Sequence, residues 1–162
     1  MKDPVCALDS NGEWFEVFNP TAVDIDMNGW VIRDSGIDSH TITGTLVVPA
    51  GGYIVLGRTT DSTLNGGVTV DYAYGTAISL ANGDDELILQ DTLGVEIDRV
   101  EYTDAAFPDI TGASLSLDFS GGTYPGDNNV GSSWCASPNF FLSPFGCGDY
   151  GTPGAANPSC DG

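Results

Sequence analysis

The run Glu13-Trp14-Phe15-Glu16-Val17-Phe18 ends abruptly at Asn19-Pro20. Aromatic and β-branched side chains suit a strand, and Asn-Pro stops one. On a strand the side chains alternate. Phe15 and Val17 therefore share one face, and Trp14, Glu16 and Phe18 share the other. Outward from this run the same grammar repeats. Asn28-Gly29 turns the chain into Trp30-Val-Ile-Arg33. Thr41 to Val48 is rich in β-branched residues and closes at Pro49-Ala-Gly-Gly52. Tyr53-Ile-Val-Leu56 is continuously apolar, as a strand covered on both faces should be. Val68–Tyr72 reads as a weak strand. Asn82-Gly-Asp-Asp85 turns into Glu86-Leu-Ile-Leu-Gln90, and Asp91-Thr-Leu-Gly94 turns into Val95–Tyr102. Ile97 and Val100 break period two, which predicts a β-bulge or a change of face near Asp98-Arg99. Ala113-Ser-Leu-Ser-Leu-Asp118 alternates cleanly.

No window carries a clean helical stripe. Roughly seven to nine strands separated by turns fit a two-sheet sandwich. The 162 residues, 41% of them apolar, suffice for one packed domain. Residues 1–162 read as that one domain, with a core of about 13–120. The stretch 121–162 reads as an irregular tail held by cysteines.

Charge excludes more than it assigns. Asp and Glu number 23 against 4 Lys and Arg, a net of −19. Such a surface repels nucleic acid and anionic bilayers. No stretch is apolar enough to span a membrane. Cys6, Cys135, Cys147 and Cys160 are spaced by 129, 12 and 13 residues and contain no Cys-x-x-Cys. Two disulfides in an oxidising compartment follow, with three pairings open. The favoured pairing is Cys135–Cys147 with Cys6–Cys160, the second tying the termini together. The N-terminus lacks the apolar core of a signal peptide. An exported protein would then carry its signal outside this chain.

These blocks, taken in order, resemble the lamin tail domain family. The resemblance runs from Glu13-Trp-Phe-Glu-Val-Phe-Asn-Pro-Thr21 through Asp26-Met-Asn-Gly-Trp-Val-Ile-Arg-Asp34 and Val48-Pro-Ala-Gly-Gly-Tyr-Ile-Val-Leu56. It continues through Asn82 to Asp91, Ile97-Asp-Arg-Val100, Ala113 to Leu117, Trp134 and Gly151 to Asn157. It implies an all-β, immunoglobulin-like sandwich that is not an enzyme. The bacterial, exported branch of the family fits four cysteines best. That branch implies an adhesion or targeting module of a larger cell-surface protein, meeting protein or glycan. The family usually has a strand just before the first block, and this chain starts about where that strand would end. An absent strand would leave an edge open to a homodimer.

Three sharper readings arise from the residues. Asp24-Ile-Asp26-Met-Asn28-Gly29 begins like a calcium loop, D-x-D-x-N-G. Calcium takes six to eight oxygens, so Asp84, Asp85 and Asp127 are the candidates to complete such a site. No cofactor is required; calcium is the one cation the sequence suggests, for a calcium-dependent adhesion domain. Trp14, Phe18, Tyr72, Tyr74, Tyr124 and Tyr150 could line the sugar platform of a carbohydrate-binding module, unless the tail covers them. A Ser-His-Asp triad would have to use His40, the only histidine, which reads as a surface loop residue. Carboxylate pairs for glycoside hydrolysis are uninformative, because any acidic chain supplies them.

Overall fold

The computed structural model describes residues 1–143 and 146–161. Its first sheet is built on the apolar run: β6 (Tyr53–Gly57) lies between β1 (Trp14–Phe18), antiparallel, and β7 (Tyr72–Ala73), parallel. The second sheet runs in the order β4 (Ser39–Thr41), β3 (Val31–Arg33), β8 (Asp85–Gln90), β9 (Glu96–Tyr102), antiparallel throughout. The short pair β2 (Ile25–Asp26) and β5 (Val47–Val48) closes one end. Ile32, Ile54, Leu56, Met27, Ile42 and Ile78 fill the space between the sheets. The fold is thus an all-β two-sheet sandwich, as the alternation predicts.

The first sheet has a second buried face. Val55 points away from the main core and packs with Trp14, Val68, Met1 and Phe141. β6 is therefore apolar on both sides because both sides are covered. The tail supplies much of that cover. It is more regular than the sequence predicts. β10 (Leu115–Leu117) pairs with β11 (Trp134–Ala136), and β12 (Phe140–Leu142) pairs with β13 (Gly148–Tyr150). β10 is the strand that the alternation of 113–118 predicts; the three-residue strands β11, β12 and β13 leave no readable signal in sequence.

At the rim Glu13 is buried with Arg58, 3.6 Å away. A Glu13 carboxyl oxygen also accepts the Leu80 N–H at 3.0 Å. Burial still holds the Glu13 carboxyl above the usual range. The pair ties the start of β1 to Arg58, the residue just past β6, and to the loop before β8.

Several expectations shift. The bulge falls at Ile97, where Leu89 pairs with Asp98 but Gln90 pairs with Glu96. That is one residue before the expected place, and it explains the broken alternation. The Thr41–Val48 strand divides into the end of β4 and β5, because Gly44 turns the chain at φ +82°. His40 lies inside β4, opposite Ile32, rather than in a loop.

The disulfides are Cys6–Cys147 and Cys135–Cys160, not the favoured Cys135–Cys147 and Cys6–Cys160. The hairpins decide this. Cys135 stands on β11 opposite Ser116, and Asp118 accepts the Cys160 N–H at 2.8 Å, returning the chain end to that hairpin. Cys147 lies beside β13, whose Asp149 accepts the Val5 and Cys6 N–H groups at 2.9 and 3.3 Å. Sequence distance is a poor guide once two separate hairpins intervene.

The bonds close loops of 141 and 25 residues. In the chain-entropy description that corresponds to about 5 and about 3.5 kcal/mol. Replacing Cys6 and Cys147 by serine should lower the denaturant midpoint more than replacing Cys135 and Cys160. Equal or reversed losses would contradict that order. Non-reducing peptide mapping checks the pairing itself.

Candidate functional site

The acidic residues proposed for calcium serve turns. Asp26 Oδ1 accepts the N–H groups of Asn28 and Leu46, both at 3.0 Å. Asp24 accepts from Ala50, Asp84 from Asp104, and Asp127 from Asn129. Asp85 accepts from Ala81 and Glu86. The bonds of Asp26 to Asn28 and of Asp127 to Asn129 are Asx turns; those to Leu46, Ala50 and Asp104 tie one loop to another. The loops also stand apart. Gly29 lies against Thr92, just past the end of β8, whereas Asp85 begins β8. Five strand steps separate those ends by roughly 17 Å. Asp24, Asp26 and Asn28 therefore do not share an ion with Asp84 and Asp85. Among the described residues no three His, Cys, Asp or Glu side chains gather to hold a metal.

His40 is occupied as well. Its Nε2 lies 2.8 Å from the Tyr72 hydroxyl, and burial lowers its pKa. The same hydroxyl bonds the Thr43 N–H, at 3.1 Å. The arrangement staples β4 to β7 across the sandwich edge.

Most of the aromatic candidates are covered. Tyr74 is in the main core, its hydroxyl donating to the Glu13 carbonyl at 3.2 Å. Trp14 is buried in the second core. Phe18 stacks on Tyr53 at 4.8 Å, and the tail's Tyr124 leans on Phe18 at 5.1 Å. Between these rings Glu16 accepts the Gly154 N–H at 2.5 Å. Trp14, Glu16 and Phe18 do share a face, and the tail lies over all three positions.

Tyr150 is the exception, and it brings residues that the sequence did not single out. β12 and β13 form a hairpin with period two. Phe141 and Asp149 oppose each other and face inward, Phe141 into the second core and Asp149 to the N-terminal segment. The alternation then turns Phe140, Leu142 and Tyr150 outward, with 55%, 66% and 43% of their surface exposed. The Phe140 and Tyr150 rings are 5.2 Å apart and cross at 65°. Phe140 lies directly over Gly148: a Cβ there would come within 2.1 Å of the ring. A side chain at position 148 would lift the ring off its seat. The Cys6–Cys147 bond and the two bonds to Asp149 fasten this hairpin to the body. The result is a fastened apolar ridge on a strongly acidic protein. The signal for it in sequence was Phe140-Phe141-Leu142 beside two cysteines, hidden in a stretch read as loop.

The covered face generates a pH effect. Burial raises the Glu16 carboxyl to about 7, against an ordinary 4.5. The folded state thus holds a proton that the unfolded state has lost. That contribution to stability is complete below pH 4.5 and disappears as pH rises through 7. Glu16→Gln removes the titration and keeps an acceptor for Gly154. It should unfold at a higher temperature than the parent at pH 8, with the gain fading by pH 4.5. A gain that does not change with pH would contradict the assignment.

With this geometry in place, comparison with known proteins gives one finding. The family model for the Lamin Tail Domain matches residues 5–104. No curated protein matches the chain. The hairpin and both tail cysteine bonds lie partly or wholly beyond the matched region.

Proposed function

The chain belongs to the lamin tail domain family, and on that premise we propose that it is a non-catalytic interaction module of a larger exported bacterial surface protein. Its sandwich is the immunoglobulin-like fold of that family. The observation that carries the reading is the ridge of Phe140, Leu142 and Tyr150. Large apolar side chains in contact, exposed on a fastened hairpin, mark a surface made for contact. Burying one such side chain against a partner is worth roughly 1.5–3 kcal/mol. Rigid anchors lose little entropy on binding, so most of that is retained.

Protein is the partner favoured over glycan. A sugar ring stacks on a flat aromatic plane, and the rings of Phe140 and Tyr150 cross steeply. Two disulfides support an oxidising, extracellular setting. Among the described residues no helix is long and apolar enough to cross a membrane. Adhesion or targeting is the role that joins these features.

The test is binding of the domain to intact cells of the producing bacterium, followed by flow cytometry. Phe140→Ser combined with Leu142→Ser should reduce binding by roughly tenfold or more, with an unchanged melting temperature. Protease treatment of the cells should abolish binding, and periodate should not. Periodate sensitivity would transfer the reading to a carbohydrate-binding module. Unaltered binding by the double variant would remove the ridge from the interface.

A further inference from the structure

β1 is an edge strand, because its sheet runs β1-β6-β7. The register shows which backbone groups it leaves open. Arg58 N–H donates to Glu13 C=O, and Asn19 N–H donates to Gly52 C=O. The odd-numbered residues of β1 therefore bond to β6, and the even-numbered ones point outward. Trp14 uses its outward pair on Met1: each donates to the other's carbonyl, at 2.9 and 3.1 Å. That reciprocal exchange is an antiparallel bridge. Beyond it, the outward N–H and C=O groups of Glu16 and Phe18 have no partner among the described residues.

The same edge opens onto an apolar cleft of about 900 Å³. Phe15 and Val17 of β1, Leu89 and Val100 of the second sheet, and Leu115 and Leu117 of β10 are among its lining side chains. β10 uses Ser114 and Asp118 toward β11, so Leu115 and Leu117 turn their backbone groups the other way, where the Leu117 C=O accepts from Asn157 Nδ2 at 3.1 Å. Phe15, Val17 and Leu89 belong to the main core yet are only partly buried. The sandwich is open along this seam, with the β1 edge and apolar side chains facing the same space.

We propose that this seam accepts an extended strand from a partner polypeptide, added antiparallel to β1 at Glu16 and Phe18. Alternate side chains of that strand enter the cleft, and the intervening ones face solvent. The bridge at Trp14 shows that the edge takes antiparallel pairing. Charge selects the occupant. A second copy brings another −19, and the cleft lining, with Glu16 and Asp98 against Lys2 and Arg99, adds no net positive charge to offset it. A strand flanked by lysine or arginine is attracted where a second copy is repelled. The seam uses none of the ridge residues, so each proposal fails or stands by itself.

The probe is a synthetic peptide that alternates valine or isoleucine with threonine and carries lysine at both ends. Binding to the intact domain is followed by NMR with amide hydrogen exchange. The expected result is saturable binding, with slowed exchange at the amides of Glu16 and Phe18. Proline at the peptide's centre should weaken binding by roughly tenfold or more, because it removes a ladder donor and bends the strand. Leu117→Trp, which fills the cleft, should weaken it similarly while the domain stays folded. The exchange pattern of the unsubstituted domain decides the matter if that variant does not fold. Protection elsewhere, or no binding at millimolar peptide, would overturn the proposal. So would protection of these two amides by concentration-dependent dimerisation without peptide.

Discussion

The structure depends on a strand that is apolar on both faces. Ile54 and Leu56 of β6 point into the main core, and Val55 points the other way into the second. Neither face tolerates water. Each fully buried side chain of that kind contributes roughly 1.5–3 kcal/mol only while it stays covered. One cover is the second sheet, the ordinary solution of a sandwich. The other is assembled from Met1, the β12–β13 hairpin and the closing turns of the tail. The disulfides act at this second cover. Short strands cannot hold such a layer by hydrogen bonds alone. Cys6–Cys147 fastens the hairpin to the N-terminal segment, and Cys135–Cys160 fastens the chain end to β11. The outward ridge of Phe140, Leu142 and Tyr150 follows from that anchoring. Once Phe141 and Asp149 are fixed inward, strand alternation leaves their neighbours no choice.

The excess of aspartate has a physical use that needs no ion. Asp24, Asp26, Asp61, Asp84, Asp91 and Asp127 each accept a backbone N–H in or beside a turn. A sandwich of many short strands contains many turns, and each leaves N–H groups without a strand partner. Aspartate reaches them, whereas the longer glutamate does so with greater entropy loss. Most of these carboxylates remain at the surface, where solvent screens their mutual repulsion. The one carboxyl moved far from its ordinary range, Glu16, is the one the tail covers.

Legibility varied with how local the cause was. The faces of β1 were legible because period two acts within five residues. The burial of β6 was legible from its unbroken apolar run. The turn at Asn28-Gly29 was legible, and the Asp26 oxygen that makes its Asx turn is the same type of group that begins a cation loop. The bulge at Ile97 was legible to within a residue from the spacing of Ile97 and Val100. His40 was misplaced because a three-residue edge strand carries no period to read. Tyr150 was noticed as an exposed-aromatic candidate, but Phe140 and Leu142 escaped notice because glycine and proline around them read as loop.

By itself the sequence determined the class of fold, the two faces of β1, the double burial of β6 and the net charge of −19. Those are consequences of side-chain type and short-range spacing. The tertiary structure decided which cysteines pair, what covers Trp14 and Phe18, which carboxylates stand apart and which strand edge stays open. Those depend on residues such as Cys6 and Cys147, or Glu16 and Gly154, that lie more than a hundred positions apart and meet only when the chain folds.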